Sequence, residues 1–222
     1  MDVCKDLTQY MQTLQQHKRV LQDAQKKKGQ RPRDRKDRDT MLLEFMMASM
    51  SMAARSTKQT AHVSFVPPAY PPCVTSLDDL KSITLDDLRL ETHHRGRYLL
   101  LRAITLPYRM TGILVLAEDA CGDATLLQLY QQEDETIRPA TDIVGEGSIF
   151  IIKEPFFKLT ASGDYSVRVD HLSDIAYLTS EDTRVPSSWR PRLRELEGSA
   201  DSLKLEGNIL LGKGKFWEAI DK

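Results

Sequence analysis

Between residues 85 and 182 short apolar runs alternate with polar turns, and this limits the fold more than any other feature of the chain. The runs 98–104, 113–117 and 125–130 are too short for self-sufficient helices and suit buried strands. The polar stretch EDACGD (118–123) makes a hairpin turn between the second and third runs. A further strand at 148–153 continues through Pro155 to Leu159, and ASGD (161–164) turns the chain again. Tyr165, Val167 and Val169 then alternate with Ser166, Arg168 and Asp170, the period-two pattern of a strand with one face covered. Residues 131–141 are polar with Pro139 and predict a loop or short helix. Three strands, a connection and two strands fit an oligonucleotide/oligosaccharide-binding-like (OB-like) β-barrel over 85–182. A small open antiparallel sheet is the alternative, since pattern does not set closure. The class expected is α+β: this β domain, an N-terminal helical arm and a C-terminal helical hairpin.

Charge divides the chain. Residues 1–60 hold 13 Lys/Arg against 7 Asp/Glu, whereas residues 85–182 hold 9 against 17, so a basic arm precedes an acidic body. Leu7, Tyr10, Met11, Leu14 and Leu21 recur at helical spacing over 5–25. The stretch KKKGQRPRDRKDR then places Lys26, Lys27, Lys28, Arg31, Arg33, Arg35, Lys36 and Arg38 together, with helix interrupted at Gly29 and Pro32. A second helix is predicted over 40–55, capped by Thr40 and rich in methionine, a residue suited to adaptable surfaces. A partly disordered arm over 1–60 is the plainest reading; a nuclear-import signal at 26–38 and a partner-binding helix at 40–55 are the sharper ones. Pro67, Pro68, Pro71 and Pro72 around Tyr70 predict an extended linker over 61–84. In it Ser76 is placed to start a short helix; the phrase LDDL, at 77–80 and 85–88, reads as two short turns.

Beyond a connector at 183–199, residues 200–208 (ADSLKLEGN) resemble the first helix of a tetratricopeptide repeat, and Gly214, Phe216, Ala219 and Ile220 match its turn and second helix. Residues 85–222 resemble the N-terminal part of fungal tetratricopeptide proteins that carry a C-terminal SET methyltransferase domain. The carrying phrases are ETHHRGRYLLLRAI, VLAEDACGDATLLQLY, SIFIIKEPFFK, YSVRVDHLSDIAYL and LKLEGNILLGKGKFWEAI. The resemblance implies that the repeat array continues beyond Lys222 and that a SET domain follows, binding S-adenosylmethionine and methylating protein lysine. The SET motifs have no counterpart here, so no catalytic residue carries over. It also implies that Lys204 and Asn208, at i and i+4 on one helix face, match two positions of the clamp by which some arrays grip acidic C-terminal tails of chaperones.

Other chemical candidates are weaker. Gly207-x4-Gly212-Lys213 nearly spells a phosphate loop, but Gly214 stands where a hydroxyl should bind magnesium and no strand precedes it. His93 and His94 are adjacent and read as surface residues on opposite faces. Glu118, Asp119 and Asp123 read as a solvated hairpin tip, with Cys121 among acids that disfavour thiolate. Three cysteines, odd in number and far apart, argue for a reducing, intracellular setting, cytoplasmic or nuclear. No apolar run is long enough to span a bilayer. The sequence therefore leads to an expected non-enzymatic protein-binding module without cofactor or metal. Nucleic-acid binding through arm and barrel, with Tyr98, Tyr130, Phe150, Phe156 and Phe157 available for stacking, is the alternative.

Overall fold

The computed structural model describes residues 3–55, 68–160, 162–190 and 200–213. Its centre is one ten-stranded sheet. The strands are β1 (Lys81–Ile83), β2 (Thr92–His93), β3 (Arg97–Ala103), β4 (Tyr108–Arg109), β5 (Ile113–Glu118), β6 (Ala124–Leu129), β7 (Ile149–Lys153), β8 (Phe156–Leu159), β9 (Tyr165–Val169) and β10 (Ile175–Leu178). Among the described residues the α-helices are α1 (Val3–Lys26), α2 (Arg38–Arg55), α3 (Ala140–Ile143) and α4 (Ala200–Gly212). The α+β class holds, with the sheet dominant.

The sheet path runs β10-β7-β3-β5-β6-β9-β8-β2, with β1 added on β3 and β4 on β5. Two expectations need correction. The sheet is mixed: β1 runs parallel to β3, and β9 runs parallel to β6. Strand direction depends on how the long connection after β6 returns the chain, which alternation cannot report. Nor does the ladder close as a barrel, since β10 and β2 end it without pairing to each other. The interruption lies at Glu154-Pro155. Glu154 takes φ +46°, and Pro155 has no N–H to donate. One stretch of chain thus becomes β7, which pairs with β3, and β8, which pairs with β9. Glu154 is buried, and its carboxylate accepts hydrogen bonds from the Gly96 N–H (2.9 Å) and Arg95 (2.6 Å).

The core lies on one face of the sheet. Leu99, Leu101, Val115, Leu127, Phe157 and Val167 are fully buried there, with Ala140 and Ile143 of α3 in the same cluster. Both LDD phrases form single 3-10 turns, at Leu77–Asp79 and Leu85–Asp87. The second packs Leu85 into the core. Asp119 fixes it: one carboxylate oxygen accepts from the Leu85 N–H (2.9 Å), the other from the N–H groups of Cys121 and Asp123. Glu118 and Asp119 are thus buried anchors where a solvated tip was expected.

His94 also departs from its surface reading. Its Nε2 accepts from the Arg89 N–H at 2.9 Å, so Nδ1 carries the proton and donates to the Pro155 carbonyl at 3.0 Å. Burial lowers its pKa, so it is a neutral structural histidine. Residues 68–73 form a strap along the end of β9. The Tyr70 N–H donates to Asp170 (3.1 Å), and the Cys73 N–H donates to the buried Asp174 (2.9 Å). At the C-terminal end α4 is formed, and residues 214–222, where the second repeat helix was expected, lie outside the described residues.

Candidate functional site

Register defines a second face opposite the core. Leu114 and Leu116 of β5 pair with Gln128 and Leu126 of β6. Those pair in turn with Arg168 and Ser166 of β9, and Ser166 pairs with Lys158 of β8. Side chains alternate across a strand, so all of these share one face, and Tyr130, two residues after Gln128, continues it. This face carries the polar and charged side chains that a core would exclude.

Helix α2 roofs half of it. Asp37 caps the helix, its carboxylate accepting from the Thr40 N–H at 2.9 Å, so the cap sits three residues before the predicted Thr40. Met41, Glu44, Phe45 and Ala48 recur at helical spacing and turn toward the sheet. The Phe45 ring lies 5.0 Å from that of Tyr108. Between roof and sheet lies a groove of about 600 Å³, floored by Leu114, Leu116, Leu126 and Gln128 and rimmed by Arg35, Lys36, Ser162 and Asp164.

Charge pairs hold the roof down. Arg38 Nε donates to Glu118 at 2.7 Å, and Arg102 donates to the other oxygen of the same carboxylate. Burial pushes the Glu118 carboxyl up, but the hydrogen bonds from Arg102 and Arg38 outweigh it and hold it below the ordinary carboxylate range. The Lys36 ammonium reaches both Glu44 and Asp164 at 2.7 Å, which raises its pKa. The Arg35 guanidinium donates to the Ala124 carbonyl at 3.1 Å. The expected basic patch is therefore divided. Arg35, Lys36 and Arg38 dock the arm on the sheet, and Arg31 pairs with Asp86. Lys26 pairs with Asp23 at 2.8 Å, while Lys27, Lys28 and Arg33 are exposed. Lys204 and Asn208 are both exposed on α4.

The unroofed half centres on Tyr130. Its hydroxyl donates to Gln128 Oε1 at 3.2 Å. Arg168 lies 5.2 Å from the ring centroid and the Lys158 ammonium 5.8 Å. Arg168 Nε donates to Asp170 at 2.7 Å, and its guanidinium also donates to the Pro68 carbonyl of the strap at 3.2 Å. Of the five aromatics named for stacking, Phe150 and Phe157 are core. Among the described residues, Tyr130 alone of the five stands between two cations. Lys158, Gln128, Phe45 and Tyr108 were missed in the sequence. The legible signal was Gln128 and Lys158 interrupting apolar strands.

No protein-family model matches the chain. A curated protein of Gibberella zeae named as a methyltransferase is 39% identical over 213 residues, covering 96% of this chain and 27% of that protein. The chain thus spans about a quarter of its relative's length. This corrects the expectation of a non-enzymatic chain. That expectation rested on missing SET motifs, yet 96% of this chain matches a protein named as a methyltransferase, which points to a possible enzyme. Among solved structures, Schizosaccharomyces pombe Pot1pC bound to single-stranded DNA aligns with 46% of this chain and 90% of its own, at 14% identity and a TM-score of 0.36. At that score the likeness bears on neither fold nor ligand. No described helix is long and apolar enough to cross a membrane.

Proposed function

We propose that this chain is part of a methyltransferase and that its outer sheet face holds a segment of the protein substrate. The 39% identity to a quarter of the Gibberella zeae protein, over 96% of this chain, carries the reading. The resemblance of residues 85–222 to tetratricopeptide proteins with a SET domain supports S-adenosylmethionine as the methyl donor and a protein lysine as the acceptor. The OB-like assignment of the sheet belongs to the same proposal. Its support is the order of pairing: β3, β5 and β6 antiparallel in sequence, β6 beside a parallel β9, and α3 between β6 and β7. That is the ordering of a partly open five-stranded Greek-key barrel, in which the face of the second and third strands binds ligands. Here those strands are β5 and β6, the floor of the groove. As domains we assign 68–190 to the sheet unit and 26–55 to a segment docked on it, with α4 opening the repeat region.

A groove floored by leucines and rimmed by charges of both signs suits an extended peptide with one apolar anchor. Nucleic acid ranks below it. Arg31, Lys36 and Arg38 are engaged by carboxylates, and residues 85–182, with 17 acids against 9 bases, repel a polyanion.

The test is a chimera in which this chain replaces the aligned quarter of the Gibberella zeae relative. Methyl transfer from labelled S-adenosylmethionine to protein extract is followed against extract concentration. The chimera is expected to be active, and Gln128→Trp, which fills the groove, to raise KM with kcat retained. A folded but inactive chimera, or one indifferent to Gln128→Trp, overturns the proposal.

A further inference from the structure

Lys158 stands out on the unroofed half of the outer face. It is half-buried, beside Tyr130 and Arg168, and its ammonium has no carboxylate or hydrogen-bond partner among the described residues. The nearby acids are engaged elsewhere. Asp170 accepts from Arg168 and from the Tyr70 N–H, and Glu91 accepts from the Leu159 N–H at 2.9 Å. Burial first, and then Arg168, lowers the Lys158 pKa, against weaker raising by Glu91 and Asp170. A lysine that merely lays its stem along the sheet keeps its head hydrated and fully basic. Lys158 instead stands half-buried against a tyrosine wall, beside a second cation, with no hydrogen-bond acceptor among the described residues.

We propose that Lys158, walled by Tyr130 and Arg168, receives a carboxylate of a bound peptide whose apolar side chain enters the adjoining groove. Gln128 links the halves: it floors the groove and accepts hydrogen bonds from Tyr130 and Ser166. The ligand class follows from charge at two ranges. Close by, an ammonium with no hydrogen-bond acceptor among the described residues calls for one, and charge-assisted hydrogen bonds are the strong ones. Farther out, the acidic body disfavours a polyanion but tolerates a single carboxylate. The inference rests on the outer face binding peptide, not on methyl transfer.

Fluorescein-labelled decapeptides carrying Leu-Phe-Leu, followed one to four residues later by Glu, are titrated against the whole chain by anisotropy. Gln replaces Glu in matched controls. Free and amidated C-termini distinguish a side-chain from a terminal carboxylate, and a ten-residue oligothymidylate is run alongside. Acid-bearing peptides are expected to bind about tenfold more tightly than their neutral partners. Lys158→Met should abolish that preference and Lys158→Arg retain it, with melting temperatures near that of the parent. Equal binding of acid and neutral peptides, still weakened by Gln128→Trp, overturns the carboxylate site and leaves the groove standing. No peptide binding at all overturns both. Lys158-dependent binding of the oligonucleotide in preference to peptide overturns the ligand class.

Discussion

Glu118 shows how one buried carboxylate decides what the outer face looks like. It receives Arg38 from the arm and Arg102 from β3, so its charge joins the roof to the sheet. Glu118→Gln removes that charge and is expected to cost about 1–3 kcal/mol, measured by urea unfolding. The pH dependence has a definite sign. The folded carboxyl is held below its ordinary value, so its stabilisation is present above the unfolded carboxylate pKa of about 4.3. It is lost as pH falls through the depressed folded value. The acid limb of a stability profile should therefore flatten in Glu118→Gln, and an unchanged limb would remove Glu118 from the account. Gly112 makes a steric case at the same scale. A Cβ there would stand 2.6 Å from the Leu129 carbonyl oxygen, in the backbone of the paired strand. Gly112→Ala should lose about 1–3 kcal/mol because that oxygen cannot swing aside.

At the scale of the element, α2 is a helix whose two faces have opposite fates. Phe45 is buried against Tyr108, while Met46, Met47 and Met50 are more than half exposed. Its attachment rests on one aromatic contact and a few charge pairs, less than a strand inside the sheet receives. Phe45→Ala should thus release the helix without unfolding the sheet. Hydrogen exchange across 38–55 is expected to accelerate at least tenfold, with β3, β5 and β7 unchanged. Loss of protection throughout the sheet would instead make α2 part of the cooperative core. Met47→Gln, on the exposed side, should shift stability by about 0.5 kcal/mol or less.

For the whole molecule, the question is where the smallest folding unit begins and ends. The strap from residue 68 supplies N–H groups to Asp170 and Asp174, and Trp189 stacks 5.0 Å from the Arg102 guanidinium. A piece covering 68–190 should fold as a β protein by circular dichroism. A piece covering 76–182 leaves both buried aspartates without those donors, and its melting midpoint should fall by about 5–10 °C. Equal midpoints would make the strap ornamental, and a mainly helical spectrum would contradict the sheet.

Five of the long strands were legible as apolar runs between glycine turns, because a strand's period of two is local information. Helix α1 was legible from helical spacing, and α2 from a cap residue ahead of a methionine-rich stretch. The short strands β1, β2, β4 and β10 were not, since two to four residues carry no period. Parallel pairing of β9 with β6, the break at Glu154-Pro155 and the burial of Glu118 and Asp119 depend on contacts between segments far apart in the chain. The same holds for the basic arm. Its eight cations can be counted in the sequence, but which of them meet carboxylates is set by the sheet that they lie on. Composition and periodicity alone thus determined a β-rich body with a basic helical arm. Only the tertiary structure decided that the arm roofs the sheet and leaves Lys158 beside it with no carboxylate or hydrogen-bond partner among the described residues, because burial and charge pairing are properties of neighbours in space.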